Sequence, residues 1–445
     1  MSLADLTARD LAATIRRGEA SPRDAVLAAQ DRASARNPAI NAITVLNPAA
    51  LDEAETVAAR LAAGEDLPLA GVPVLIKDNI WVKGLPITQG SRLFADHIAP
   101  DDAIAVRRLR QAGAIVLGIA TCSEFACKGA TLSPLYGITR NPVDPSMTAG
   151  GSSGGSVAAV AAGIVPLALG TDAGGSSRRP PAHTGLCGLK PTQDLVPYGP
   201  GFDEPVWGIS VICPIARDMG DIALAMEVLA GVPATDPGTL ALAVSADLGT
   251  GQVLDAQVAE NFARVCDVLR DGGVQITPAD IPWPDGIRGH DIQPLQYAGL
   301  AQLFGPAWTA TPDLFDPALA DQIARGMALT GVEVAAAHQV SHKMRETLCA
   351  ALDRHRFIAT PTTPCPAWPA ELNDPATIAG QPAAPRDHAA FTPQINHAGV
   401  PALSIPCGTT AAGLPLGLQL IAPAGQDGPL MGLARRLEPL LKGLA

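Results

Sequence analysis

The reading of this chain turns on AGGSSGGSVAAVAAGIVPLALGTDAGGSSRRPPAHTGLCGLKPT, residues 149–192. Two glycine-rich clusters, Gly150–Gly155 and Gly174–Gly175, flank an apolar run that reads as a helix followed by a short strand. Glycine weakens regular structure by about 0.5–1 kcal/mol relative to alanine. Its clustering therefore says that the backbone itself must approach something closely. Ser152, Ser153, Ser156, Ser176 and Ser177 lie in or beside the clusters. The pattern points to a hydroxyl nucleophile set among backbone N–H donors.

Ser176 closes the turn that follows the strand. A turn with two glycines can aim the N–H groups of Ala173, Gly174, Gly175 and Ser176 into one concavity suited to an oxyanion. The alternative is a tight structural turn with a bystander serine. A nucleophilic serine also needs a base. His183 is nearest in sequence, while Lys77 ends the apolar strand GVPVLIK, where burial would lower its pKa. The residues alone leave both open. Other templates fit worse. Gly151–Gly155 formally matches GxSxG, but a loop rather than a strand precedes it. There is no phosphate-binding GxxxxGK[ST]. His338 and His342 have the spacing of a zinc-protease helix, but position 339 is Gln.

Working outward, strand-like runs alternate with helical ones along the chain. Ser21 and Pro22 open a helix as N-cap and first-turn proline. Val72–Ile76, Ile115–Leu117, Val165–Leu169, residues 240–244, Val274–Thr277, Phe357–Thr360, Ala402–Ile405 and Leu416–Ile421 read as strands. Such alternation predicts an α/β fold with a large, mostly parallel or mixed sheet covered by helices on both faces. The region from 282 to 320 reads as irregular, with Trp283, Tyr297, Phe304 and Trp308 expected to shape a substrate pocket. Segments 132–140, 200–210, 283–310 and 360–395 are the expected pocket walls.

At 445 residues and 47% hydrophobic, the chain can bury a large core as one unit. A net charge of −12 argues against a nucleic-acid surface, and the cluster of Arg107, Arg108 and Arg110 reads as a solvated helix face. Eight scattered cysteines without CxxC, no basic-then-apolar leader, and no apolar run of about 20 residues predict a cytoplasmic protein with reduced thiols and no membrane span.

Taken together and in order, GVPVLIKDN (71–79), GGSSGGS (150–156), GTDAGGSSR (170–178), GLCGLKPT (185–192) and GVPALSIPCG (399–408) resemble the amidase signature family. The resemblance runs over most of the chain. It implies one amidase domain over 1–445, with a signature core at about 65–230 and a variable pocket region at 282–395. It implies a Ser-cisSer-Lys triad of Ser176, Ser152 and Lys77, in which Ser152 follows a cis peptide. Ser153, Asp172 and Arg178 match supporting positions. No metal or organic cofactor is implied. The implied partner is a small-molecule amide, with a homodimer as the family-level expectation. Arg179, three residues past Ser176, is a candidate reader of a substrate carboxylate; the competing reading is a salt bridge to a nearby acid.

Ser177, Pro181 and Ala120-Thr-Cys122 depart from the usual family residues and bear on the pocket. Two readings compete with a stand-alone amide hydrolase. One is the A-type chain of a tRNA-dependent amidotransferase, although the segment after Lys190-Pro-Thr192 lacks the expected Gly-Arg-Val-Ser-Arg run. The other is a catalytically inactive scaffold, which would be expected to lack a triad member.

Overall fold

The computed structural model describes residues 2–284 and 289–444. Eleven strands form one mixed sheet: β1 (Ile43–Leu46), β2 (Pro73–Lys77), β3 (Ile115–Ala120), β4 (Leu167–Asp172), β5 (Cys187–Lys190), β6 (Val211–Ala216), β7 (Ala241–Val244), β8 (Gln275–Pro278), β9 (Ile358–Pro361), β10 (Ala402–Thr409) and β11 (Pro415–Ile421). Their order across the sheet is β1-β3-β2-β4-β6-β5-β10-β11-β9-β7-β8. β2 runs parallel to both β3 and β4, whereas β6 is antiparallel to β4 and β5. Every residue of β2, β3, β4 and β6 is buried. Strands without in–out alternation belong to a sheet covered on both faces.

The cover comes from α1 (Ala8–Arg16), α2 (Pro22–Ile40), α3 (Ala50–Ala62), α4 (Ile104–Gln111), α5 (Gly154–Ala161), α6 (Arg179–Thr184), α7 (Met219–Ala230), α8 (Ala256–Asp271), α9 (Gln293–Ala310), α10 (Pro317–Ala328), α11 (Gly331–His355), α12 (Pro393–Ala398) and α13 (Asp427–Leu441). α2 starts as its sequence predicts: Ser21 accepts from the Asp24 N–H, and Asp24 reaches back to the Ser21 N–H. α5 closes on the chain just beyond β3 because Gly155 lets it; a Cβ there would lie 2.3 Å from the Thr121 nitrogen.

Two regions differ from expectation. Residues 293–310 and 317–328 are helices, not irregular chain. Proline in the first turn of each, Pro306 inside α9 and glycines at 299, 305 and 326 hide the helical pattern. Two of those glycines serve close packing: a Cβ on Gly299 would meet the Pro205 carbonyl oxygen at 1.9 Å, and one on Gly326 would meet that of Tyr297 at 1.9 Å. β6 is hidden by Pro214, a residue that argues against a central strand, yet it pairs with Leu169 there. α9 and α10 bury a small aromatic core of their own, in which Phe304 stacks on Phe125 at 3.9 Å between ring centroids. Among the described residues, no helix is long and apolar enough to cross a membrane.

Candidate active site

β2 and β4 are parallel neighbours with Ile76 opposite Leu169, so both end at one edge of the sheet and bring Lys77 beside Thr171. Ligand sites of α/β sheets form outside such strand ends. Lys77 is fully buried, and its ammonium nitrogen lies 2.7 Å from Ser152 Oγ, 2.9 Å from Ser153 Oγ and 2.8 Å from Thr171 Oγ1. Burial lowers its pKa to about 8, with the field of Asp172 opposing. Ser153 Oγ donates to the Thr171 carbonyl at 3.2 Å, which leaves its lone pairs for a lysine N–H. A neutral amine has two N–H bonds and one lone pair. It can donate to Ser153 and Thr171 and turn the lone pair to the Ser152 hydroxyl.

The Gly151–Ser152 peptide is cis, as the resemblance implies. Beyond β4 the chain turns through Ala173–Ser176 around Asp172. Asp172 accepts from the N–H of Gly175 at 2.7 Å and of Ser177 at 3.0 Å, and forms a bidentate ion pair with Arg178 at 2.9 and 3.0 Å. Both partners are fully buried. Arg178, Asn396 and these N–H groups together hold the Asp172 carboxyl far below the usual carboxylate range against its burial. Asn396 on α12 donates to Asp172 at 2.9 Å, and Gln419 on β11 accepts from Arg178 at 2.8 Å. Three separate parts of the chain thus fix one turn.

One expected oxyanion donor is corrected by this geometry. The Gly175 N–H is spent on Asp172 and cannot serve an oxyanion. The N–H groups of Ala173, Gly174 and Ser176 make no hydrogen bond within the described residues. Ser176, 7% exposed, lines a cavity of about 490 Å³ together with Ser152. No hydrogen bond joins the Ser176 hydroxyl to Ser152 or to any other described residue. His183, the rival base, lies edge-on to Trp368 at 5.4 Å and does not bond Ser176. Burial pushes its pKa down to about 3.

Arg179 lines the same cavity and is 5% exposed. Its Nε and Nη1 have no partner, so the salt bridge weighed against a substrate role is absent among the described residues. Burial foremost lowers its pKa to about 10. Of the expected walls, residues 132–140 contribute nothing; residues 249–252 and Met344 contribute instead. Arg386 and His388 line the wall within the expected segment 360–395, but sequence reasoning singled out neither. They come from a Pro-rich loop with no local motif, and only the fold brings them to Arg179. Gln296 at 3.0 Å, Gln322 at 3.2 Å and the Cys127 carbonyl at 3.1 Å hold Arg386.

Comparison with known proteins agrees with this architecture. The Amidase family matches residues 24–431. The A-type chain of the glutamyl-tRNA(Gln) amidotransferase of Deinococcus radiodurans is 34% identical, with 97% of this chain and 96% of that protein covered. Among solved structures, one described as a crystal structure of amidase has a TM-score of 0.90 at 30% identity, covering 98% of this chain and 100% of the other. A 6-aminohexanoate cyclic dimer hydrolase complexed with substrate has a TM-score of 0.86 at 26% identity, covering 99% and 98%. With the family matched over most of its length, the chain belongs to the amidase signature family.

Proposed function

We propose that the protein hydrolyses the C–N bond of a small amide bearing a carboxylate, through an acyl-enzyme on Ser176. The observation that carries this is the buried Lys77 amine, 2.7 Å from Ser152 Oγ and surrounded by hydroxyls, with a pKa of about 8. Neutral Lys77 takes the Ser152 proton as Ser152 takes that of Ser176. Ser176 Oγ attacks the amide carbon, and the oxyanion rests on the N–H groups of Ala173, Gly174 and Ser176. Removing one such donor typically costs about 2.7–4 kcal/mol of barrier. The proton returns along the same path to the leaving nitrogen, the C–N bond breaks, and water then cleaves the acyl-enzyme. Arg179 meets the substrate carboxylate, because its Nε and Nη1 have no acceptor among the described residues.

A fluorophosphonate probe tests the nucleophile. Ser176 should be labelled, the S176A protein should not be, and labelling at any other serine would end this reading. A hydrolysis screen of neutral, aromatic and carboxylated amides tests the substrate class. A second reading has one observation in its favour, the 34% identity to an A-type amidotransferase chain. It requires glutaminase activity that depends on a partner protein; turnover of small amides by the purified chain alone speaks against it.

A further inference from the structure

The cavity that holds Ser176 carries a second buried polar side chain that no hydrogen bond explains. His388 sits on the single 3-10 turn Asp387–Ala389 and is 1% exposed. Its Nδ1 lies 3.1 Å from Asp374 Oδ1, an ion-pair distance off the line of a good hydrogen bond. Asp374 Oδ1 is itself fixed by the Arg386 N–H at 2.9 Å. The ring packs against Trp368 at 4.9 Å between centroids. Gly129 makes the room: a Cβ there would sit 2.0 Å from His388 Nε2. Among the described residues that Nε2 has no partner, and neither have Nε and Nη1 of Arg179.

The groups whose charge reaches His388 are Asp374, Arg179 and Arg386, with His183 across the Trp368 ring and Asp387 next to it in the chain. Burial above all holds His388 neutral, with its pKa lowered to about 4; Asp374 opposes, and Arg179 and Arg386 add to the lowering. Asp374 favours the tautomer with its hydrogen on Nδ1. Nε2 then carries a lone pair in the wall of the cavity that Arg179 also lines, a poor neighbour for an anion until it gains a proton. A carboxylate bound at Arg179 changes the sign of the local field. It offsets the guanidinium charge and gives a protonated Nε2 an acceptor.

We propose that His388, backed by Asp374, is a second reader of the substrate carboxylate and takes a proton from solvent onto Nε2 when that carboxylate binds at Arg179. The inference rests on the reading that Arg179 meets a carboxylate. It deepens that reading into a proton-linked anion site, in which the imidazolium lies between Asp374 and the substrate. Neutral amides should bind there without a proton.

The test is calorimetry on the S176A protein, which binds without turnover. Succinamate, glutaramate and the neutral butyramide are titrated at pH 6.5 in buffers of different ionisation enthalpy, and the slope of heat against that enthalpy counts protons. The expected result is uptake approaching one proton for a carboxylated amide and none for butyramide. Adding H388Q should weaken succinamate binding about tenfold and remove the uptake. Uptake that persists in H388Q, or its absence where succinamate is still preferred over butyramide, overturns the proposal and leaves the Arg179 reading standing. Equal binding of all three amides, or an R179Q change that leaves succinamate affinity unaltered, sinks both. If H388Q does not fold, D374N carries the same test: without the carboxylate behind the ring, uptake must fall towards zero.

Discussion

The catalytic edge of the sheet and the wall facing it differ in how their buried ionisable side chains are satisfied. At the edge, Asp172 alone accepts from Gly175, Ser177, Arg178 and Asn396, and Lys77 is ringed by three hydroxyls. On the wall, Arg179 Nε and Nη1 and His388 Nε2 have no partner among the described residues. Native interiors leave few such atoms, so their gathering in one cavity needs a reason. Groups that must be in place before a reaction starts are held by the protein itself. Groups that recognise a ligand keep their bonding capacity for it. The edge is built for a reaction, the wall for a choice of substrate.

The largest expected effect breaks the edge at its base. Lys77→Met should lower kcat/KM by at least about 10³-fold, in line with the loss of a general base and a proton path. In the unmodified protein the pH profile carries the same information. The lysine pKa is lowered from 10.5 to about 8, so the active, neutral amine accumulates as pH rises through that value. Activity should climb towards alkaline pH; a flat profile from about pH 5 to 9 with the chemical step limiting would contradict Lys77 as base.

The edge should also be costly to damage where no proton moves. Asp172→Asn leaves the Arg178 guanidinium buried without a counter-charge. Removing one partner of such a pair costs about 3–5 kcal/mol, which denaturant unfolding would register as a lower midpoint. A loss under about 1 kcal/mol would mean that the turn is held by its backbone alone. The wall should respond differently. Arg179→Gln removes a guanidinium whose Nε and Nη1 bond no described residue, so its effect belongs to selectivity. The ratio of kcat/KM for succinamate over butyramide should fall about 10- to 100-fold, the scale of a lost charge-assisted pair. An unchanged ratio would remove Arg179 from recognition.

This contrast also divides what is legible in the sequence from what is hidden there. The edge is written in short contiguous runs. Lys77 ends an apolar strand, and Asp172 and Ser176 fall in the same short stretch that Ser152 opens and Arg178 closes. The spent N–H of Gly175 is not visible, because a glycine pair says that a turn is tight without saying where each amide points. The wall is unreadable for a different reason. Arg179, Arg386 and His388 meet only through the sheet order that sets β10 beside β5, and nothing local marks the latter two. α9 escapes notice because proline and glycine there answer to packing against Pro205 and α10 rather than to helix propensity.

The smallest effect lies outside both regions and calibrates them. Ser21 is the most locally legible feature of the chain, a cap whose hydroxyl accepts from the Asp24 N–H at 3.1 Å. Its loss in Ser21→Ala costs about 1 kcal/mol, the usual worth of an N-cap. Spread over the unfolding entropy of a chain this long, that is a shift in Tm of about 1 °C. Ser21 does not line the cavity, so kcat/KM for neutral and carboxylated amides should stay level, measured alongside calorimetric melting. A change in either rate would mean that α2 communicates with the cavity. Equal rates would make the selectivity loss in Arg179→Gln a property of the wall rather than of lowered stability. Signals confined to one turn of helix decide where an element begins, and they carry little of the energy; the bonds that tie the Asp172–Arg178 pair to Asn396 on α12 and Gln419 on β11 have no such local signature, and the pair carries more.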